Sequence, residues 1–399
     1  MEQVRKIYNY IKDKILLPQS ITLEGATGPV VSISGQNILM MGSYNYLGLA
    51  NNKFLIDESI KTTYAFGVGT GGVRILTGTM TIHKSLELET ASFTGYEDSM
   101  TIASGYGANV GVIPGFINLM GMSRSIFFKK AVIFSDEYNH ASIVDGCRLA
   151  NAKVVVYKHN DVKDLERQVA KHKRFRKLII TDGVFSMDGD IASLGTILDL
   201  AKAYNASTMV DDAHAVGVIG KHGAGTASYY NRAGEVDINM GTFSKGLGVS
   251  GGFIAGKTDL IDYLRLACRS YMFSDAMAPG VVGAVRASLA YILKHTEIIK
   301  DLLEKSSFFR KELISAGFNT FESKTQIVPI LIGDEKKCLQ FADRLLESGL
   351  FAPAIRWPAV PKNLSRIRFA VSASHSLAHL ESALEIIKKV GRELMIIGG

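Results

Sequence analysis

Cysteine is scarce in this sequence, with three among 399 residues. Cys147, Cys268 and Cys338 are far apart in the chain and form no C-x-x-C pair. This spacing disfavours both a disulfide framework and a thiolate metal site, and it is typical of a reducing compartment. We therefore predict a protein without a metal centre.

Long hydrophobic runs are also missing. No uninterrupted apolar stretch approaches the ~20 residues of a membrane-spanning helix, and Met1 is not followed by the basic-then-apolar pattern of a signal peptide. No segment is of low complexity and charged residues make up 21% of the chain, which argues against extended disorder. We expect a soluble, cytoplasmic protein with no transmembrane segment.

The sequence lacks any dense basic patch, although its formal net charge is +7. A basic surface could attract phosphate-bearing partners such as coenzyme A, acyl carrier protein or nucleic acid. The basic residues are scattered, however, and the densest cluster, at 171–177, falls in a predicted surface loop. This favours a solvated surface with a modest lysine excess. Nucleic-acid binding would need clustered Arg and Lys with interleaved aromatics, so we predict none.

The hydrophobic pattern predicts an α/β protein of more than one domain. With 47% hydrophobic residues, 399 residues can bury a large core but exceed one compact unit of typical size. We predict an N-terminal arm over 1–49, a large domain over 50–290 and a small α+β domain over 291–399. In the large domain, fully apolar strands alternate with helical segments. That pattern indicates a mostly parallel central sheet with helices on both faces.

Acidic residues stand at the ends of several of these predicted strands. They are Asp136, Asp182, Asp211 and Asp212. Ligands of parallel α/β sheets bind beyond the carboxyl ends of the strands. The sequence therefore predicts one functional site along a single edge of the sheet.

The segment "NMGTFSKGLGVSGGFIAG" at 239–256 is the strongest local motif. Lys245 follows the hydroxyls of Thr242 and Ser244 and lies among glycines, which let a backbone approach a bulky ligand. The hydroxyls suit a phosphate, and a lysine amine can form an imine with an aldehyde cofactor. Taken alone, the motif is equally compatible with a glycine-rich surface turn.

Three other residues turn that lysine into a candidate for pyridoxal phosphate (PLP) chemistry. Asp211, in "VDDAH", could keep the ring nitrogen of PLP protonated, and His214 could donate to its phenolic oxygen. His140, in "SDEYNHASIVDG", could stack on the ring. Individually, Asp211 or Asp212 could cap the next segment, and His140 could be a structural histidine. The combination with Lys245 favours the PLP site.

A fourth motif, "ASGYGANVG" at 103–111, places small residues before a predicted helix. Backbone N–H groups at a helix N-terminus bind phosphate well. On its own this glycine pattern is weak, but it fits the phosphate of PLP.

Taken together, the chain resembles the α-oxoamine synthase family of fold-type I PLP enzymes, from "GSYNYLGLA" to "RIRFAVSASHS". The most family-specific segments are "GTGGVRILTGTMTIHKSLE", "NHASIVDGCRLANA", "TDGVFSMDGDIASL", "VDDAHAVGVIGKHGAG" and "GTFSKGLGVSGGF". The resemblance implies a fold-type I PLP-dependent transferase. It also implies a homodimer with its active site at the subunit interface.

The resemblance assigns roles around the cofactor. It implies that Lys245 forms the Schiff base and removes the substrate's α-proton, that Asp211 pairs with the ring nitrogen, and that His214 contacts the ring oxygen. It further implies that His140 stacks on the ring and that Ser186 lies near the ring oxygen. The residues implied around the phosphate are Ser104, Gly105, Tyr106, Thr242, Ser244 and, from the neighbouring subunit, Ser274.

At the substrate end the resemblance is less complete. Arg368 matches the arginine that clamps the amino-acid carboxylate, a task suited to a planar, always-charged fork. Arg356 matches an arginine of some members, or is a surface residue contacting a neighbouring carboxylate, and Trp357 replaces the proline that usually follows it. Where the family usually has a substrate-binding Asn, this chain has Tyr44, followed by Asn45.

The implied reaction is a decarboxylative condensation of a small L-amino acid with an acyl thioester, carried by coenzyme A or acyl carrier protein, to give an α-aminoketone. The activity expected is like that of an 8-amino-7-oxononanoate synthase. The alternatives are long-chain base synthesis of the serine palmitoyltransferase type and a natural-product α-oxoamine synthase. An aminotransferase would not explain "TGTMTIHKSLE", and an inactive partner subunit should lack Lys245.

Overall fold

The computed structural model describes residues 1–14, 21–120 and 130–398; the parts of the predicted segments at 15–20, 121–129 and 399 lie outside the described residues. The strands are β1 Val30–Ile33, β2 Gln36–Met40, β3 Asp98–Ile102, β4 Ala131–Asp136, β5 Lys153–Tyr157, β6 Arg176–Asp182, β7 Ser207–Asp211, β8 Ile238–Thr242, β9 Gly252–Gly256, β10 Ile327–Gly333, β11 Leu350–Phe351, β12 Ala354–Ile355 and β13 Ser365–Ala370.

The helices are α1 Glu2–Lys14, α2 Lys53–Phe66, α3 Thr81–Thr94, α4 Gly105–Asn118, α5 Ala141–Ala150, α6 Val162–Ala170, α7 Leu194–Ala203, α8 Thr226–Tyr229, α9 Thr258–Ala267, α10 Arg269–Met272, α11 Pro279–Lys294, α12 Glu297–Ser315, α13 Glu335–Glu347 and α14 Leu377–Glu393. None of these described helices is both long and apolar enough to cross a bilayer.

A seven-stranded sheet forms the centre of the molecule, in the order β3-β9-β8-β7-β6-β4-β5. The strands β8, β7, β6, β4 and β5 run parallel to one another, and β9 runs antiparallel to both β8 and β3. The predicted mostly parallel sheet is therefore confirmed. Its carboxyl-terminal edge carries the ends of β4, β6, β7 and β8.

Helices cover both faces of this sheet. Successive strand residues point to opposite sides, so an apolar strand exposes apolar side chains on both faces, and each face packs against helices. On β4, Ile133 packs into a buried cluster with residues of α4, α5 and α9. Its neighbours Val132 and Phe134 pack into a different cluster with residues of α6 and α7. A strand buried on both faces must be apolar throughout, which is why these strands show no alternation in the sequence.

The C-terminal region forms a second, smaller α+β arrangement, as predicted. Strands β10, β13 and β12 pair antiparallel. The buried side chains of α12, α13 and α14 belong to the same apolar cluster as those of β10 and β13. This sheet carries Arg366 and Arg368 on β13, close to the carboxyl edge of the central sheet through the contact of Arg368 with Ser186.

The N-terminal segment is joined to this C-terminal region by strand pairing. β2 pairs antiparallel with β1 and parallel with β11, with Leu350 opposite Leu39. The predicted boundary at residue 290 falls inside the last turn of α11. The domain limits at 49 and 290 stay predictions. The pairing matters for the site because it fixes the loop after β2, which contains Tyr44 and Tyr46.

Candidate active site

The strand ends at the carboxyl edge of the central sheet surround a cavity of about 310 Å³. Strand register brings them together, with Asp182 of β6 opposite Asp211 of β7, and Asp211 opposite Met240 of β8. The residues lining the cavity are Tyr44, Ser104, Gly105, Tyr106, His140, Ser142, Asp182, Val184, Ser186, Met187, Asp211, Ala213, His214, Met240, Thr242, Ser244 and Lys245.

Lys245 lies in the tight loop that joins β8 to β9. The loop is closed by the backbone, with Phe243 N donating to Gly251 O at 3.0 Å and Val249 N donating to Phe243 O at 2.8 Å. Gly246 packs so closely on the backbone of Val216 and Gly217 that a Cβ at position 246 would overlap the backbone oxygen of Val216. The glycines of the motif therefore allow a compact loop that directs Lys245 into the cavity.

The lysine amine is held by a histidine. Lys245 Nζ lies 2.7 Å from His214 Nε2. Burial lowers the pKa of Lys245 to about 8, although the nearby Asp211 opposes the shift. Burial also holds the pKa of His214 well below its usual range, and the charge of Lys245 adds to that effect. The site thus pairs a neutral imidazole with an amine that is partly uncharged near neutral pH.

Asp211 is fixed by two hydrogen bonds at the end of β7. Its Oδ1 accepts from Ala213 N at 2.9 Å, and its Oδ2 accepts from the side-chain amide of Asn109 at 2.7 Å. The same Asn109 Nδ2 lies 2.8 Å from Ser142 Oγ. Asn109 was not among the predicted site residues. The available signal was a polar residue on a mostly apolar helix, one turn after Gly105.

His140 stands at the start of α5 and contacts Ser142, which is also bonded to Asn109. Its Nδ1 accepts from Ser142 N at 3.2 Å and lies 2.7 Å from Ser142 Oγ, so the ring caps the helix and has a fixed orientation. Burial lowers its pKa, Asp211 opposes this and Lys245 adds to it. Beside it, burial raises the pKa of Asp182 well above the usual range.

The N-terminus of α4 forms the far end of the cavity. Ser104 Oγ caps this helix by accepting from Gly107 N at 3.0 Å. A Cβ on Gly105 would come within 3.2 Å of the Thr242 side chain, so the glycine lets the helix end approach this residue at the end of β8. Thr242 and Ser244 are themselves linked, with 2.8 Å between their hydroxyl oxygens. Unpaired N–H groups and hydroxyls together make an anion site.

Arg368 is buried beside the cavity, 3% exposed. Its Nη1 donates to the backbone oxygen of Ser186 at 3.3 Å, and its Nε has no hydrogen-bond partner among the described residues. The guanidinium carbon lies 4.8 Å from the centre of the Tyr44 ring, and Lys245 Nζ lies 5.6 Å from the same ring. The Tyr44 ring therefore lies near both cationic groups.

Three other predicted site residues do not line this cavity. Asn45 is buried, and its Oδ1 accepts from Ala50 N at 3.1 Å, so its side chain stabilises the loop. Ser274 is exposed on the surface. Arg356 lies outside the lining, while its neighbours Trp357 and Pro358 line an adjoining cavity of about 490 Å³ that shares Met187 with the first. Substrate or cofactor contacts of these three residues stay predictions.

The chemistry of the cavity fits PLP group by group. A buried carboxylate, Asp211, suits a cationic ring nitrogen, and the amine of Lys245 suits the aldehyde. The N-terminus of α4 suits the phosphate. Among the described residues, no acidic side chain lies at that end of the lining.

Comparison with known proteins agrees with this chemistry. The sequence model of the family described as aminotransferase class I and II matches residues 36–387. An 8-amino-7-oxononanoate synthase of Thermoanaerobacter pseudethanolicus is 45% identical over 94% of this chain and 93% of its own length. Another, from Petrotoga mobilis, is 44% identical over 98% of both chains.

A solved structure shows the same fold over almost the whole chain. The PLP-bound serine palmitoyltransferase of S. paucimobilis is 29% identical, with a TM-score of 0.91 over 99% of this chain and 98% of its own. The predicted fold-type I architecture, the PLP cofactor and the acyltransferase class are therefore confirmed. This chain belongs to the aminotransferase class I and II family and, within it, to the PLP-dependent α-oxoamine synthases.

Proposed function

We propose that this enzyme condenses alanine with the thioester of a dicarboxylic acid, releases CO2 and forms 8-amino-7-oxononanoate. Identities of 44–45% over more than nine-tenths of the chain to synthases of that name support the product. The product name defines the substrates. Carbons eight and nine with the amine correspond to alanine without its carboxyl group, and the other seven carbons to an acyl group that ends in a carboxylate.

The residues of the cavity divide this task among themselves. When bound, PLP supplies an electron-withdrawing ring that stabilises negative charge on the substrate's α-carbon. Asp211 holds a carboxylate where it favours a charged ring nitrogen. Lys245, with a pKa of about 8, offers a partly uncharged amine that can accept the α-proton. His140, held by Ser142, presents a neutral ring to the cavity.

The observation that carries the proposal is the missing counter-ion of Arg368. Other buried arginines have carboxylate partners: Arg74 pairs with Glu87 at 2.8 Å, and Arg366 pairs with Asp188. Among the described residues, no acidic side chain lies within ion-pair distance of Arg368. A buried charge without a partner costs several kcal/mol. A substrate carboxylate next to the reacting centre supplies that partner and places the amino acid for decarboxylation.

Synthesis of the serine palmitoyltransferase type is the second candidate, favoured by the TM-score of 0.91 to such an enzyme. The two activities differ in the amino acid, serine against alanine, and in the acyl chain. Sequence identity of 45% against 29% favours the shorter, carboxylate-ended acyl group.

The experiment is a matrix of amino acids and thioesters. PLP-loaded enzyme is incubated with alanine, serine or glycine and with the seven-carbon ω-carboxyacyl or palmitoyl thioester of coenzyme A or acyl carrier protein. CO2 release and the mass of the aminoketone are measured. We expect alanine with the ω-carboxyacyl group to give the fastest release. Product from serine and palmitoyl would support the second candidate, and keto-acid formation without CO2 would contradict the whole class.

We further propose that the working unit is a homodimer with the cavity at its interface. The segments at 67–79 and 273–276 lie side by side, since Ala276 N donates to Gly72 O at 3.3 Å. They expose large apolar side chains, with Val68 85%, Leu76 77% and Phe273 63% exposed. A second copy that covers this surface would also contact Ser274.

We expect light scattering to give twice the chain mass for the wild-type protein, and we expect Phe273→Asp to lower that mass. A wild-type monomer would contradict the proposal.

A cytoplasmic location agrees with the cysteines. Cys147, Cys268 and Cys338 are buried and unpaired. Free thiols are typical of a reducing compartment. Finding the native protein only in a secreted or membrane fraction would contradict this location.

A further inference from the structure

Tyr46 is a buried residue that lies next to the lysine-bound histidine. Its side chain is 1% exposed, and its hydroxyl oxygen lies 2.7 Å from His214 Nδ1. Its backbone is held by the C-terminal region of the chain, because its carbonyl oxygen accepts a hydrogen bond from Ala373 N at 2.8 Å. With His214 Nε2 at 2.7 Å from Lys245 Nζ, the three side chains form one continuous line of hydrogen bonds.

The two ring nitrogens of His214 have different hydrogen-bond partners, Tyr46 at Nδ1 and Lys245 at Nε2, and share one proton in the neutral ring. A neutral imidazole carries one N–H, so one ring nitrogen donates and the other accepts. While Lys245 carries its full set of protons, Nε2 accepts from the ammonium and Nδ1 must donate. When Nε2 donates to a ligand oxygen, Nδ1 must accept. A phenol hydroxyl can serve both states, because it accepts from Nδ1–H and donates to the bare nitrogen.

We propose that Tyr46 is a positioning residue that lets His214 exchange its tautomer without taking a charge. His214 Nε2 then accepts from Lys245 in the free enzyme and donates to the phenolic oxygen of PLP in the loaded enzyme. This role concerns cofactor capture, so it does not depend on which amino acid or thioester is used. A purely hydrophobic residue at position 46 would leave Nδ1 unpaired in a buried site.

The test on the wild-type enzyme uses the ¹⁵N shifts of the His214 imidazole, assigned by comparison with a His214→Gln spectrum. We expect the Nδ1–H tautomer in the PLP-free protein and the Nε2–H tautomer after loading. The same tautomer in both states would overturn the proposal. The tautomers are measured on the wild-type enzyme itself, and the His214→Gln variant serves only to assign the signals.

The second test changes Tyr46 to phenylalanine, which keeps the ring and removes the hydroxyl. We expect PLP to bind the apoprotein roughly tenfold more weakly, as befits a buried polar atom left unpaired. The matched control is Tyr157→Phe, since Tyr157 is equally buried but is not among the described residues that line the cavity. We expect its PLP affinity to be unchanged. Equal PLP affinities of Tyr46→Phe and wild type would contradict the role of Tyr46.

Discussion

Changing Lys245 to alanine is expected to lower kcat at least ~10³-fold, the upper range for removal of an acid–base group, and to abolish the absorption band of the imine between PLP and this lysine. The reason is that, in the proposed function, the same amine serves for cofactor attachment and proton transfer, and no other lysine among the described residues lines the cavity. Lys257, exposed at the start of α9, provides the control, and Lys257→Ala should keep both properties. A coloured, active Lys245→Ala enzyme would contradict the assignment.

The apoprotein should show the cost of burying this amine. Burial lowers the pKa of Lys245 from its usual 10.5 to about 8, so the unfolded chain binds the proton more tightly than the folded one. The protonated amine therefore destabilises the fold below pH 8, and the penalty disappears as the pH rises from 8 past 10.5. Denaturation of apoproteins should show Lys245→Met more stable than wild type at pH 7, with a smaller difference at pH 10. Equal stabilities of the two apoproteins at pH 7 would argue against a destabilising effect of the buried, charged Lys245.

Much of the site could be predicted because its residues end neighbouring parallel strands. Asp182 and Asp211 follow apolar runs in the sequence, and parallel strands deliver their carboxyl ends to one edge. Lys245 was marked by the glycines that its tight loop requires. These are local signals, since each depends on residues within a few positions of the side chain concerned.

The rest of the site depends on contacts between distant parts of the chain. Asn109 is hydrogen-bonded to Asp211, which is 102 positions away in the sequence, and the Tyr46 hydroxyl to His214, which is 168 positions away. Neither residue stands at a strand end. The one local signal for Asn109 was a polar residue on a mostly apolar helix, which does not identify Asp211 as its partner, and Tyr46 had no comparable signal. The position of Tyr46 also depends on β2 pairing with β11, a contact that a division into arm and C-terminal domain does not suggest. Buried polar partners of this kind become visible only when the fold is known.

Changing Arg368 to lysine is expected to raise the KM for the amino acid about 10²-fold, the usual effect of truncating a buried charge partner. Lysine keeps the charge but loses the planar fork, whose Nε is unpartnered in the described structure and free for a carboxylate. Steady-state kinetics at saturating thioester measures this change. The KM for the thioester should stay within about twofold, as expected for sites with no shared partner.

A control separates this role from simple loss of a buried arginine. Arg265 is ion-paired with Asp98 at 2.8 Å, remote from the cavity lining. Arg265→Lys should therefore lower the melting temperature without changing the KM for the amino acid. Arg368→Lys should then raise the KM for the amino acid and Arg265→Lys should not, because Arg265 pairs with a carboxylate of the protein itself, whereas we propose that Arg368 binds a carboxylate of the substrate. An unchanged amino-acid KM in Arg368→Lys would mean that another group binds that carboxylate, with Tyr44 the nearest residue to test.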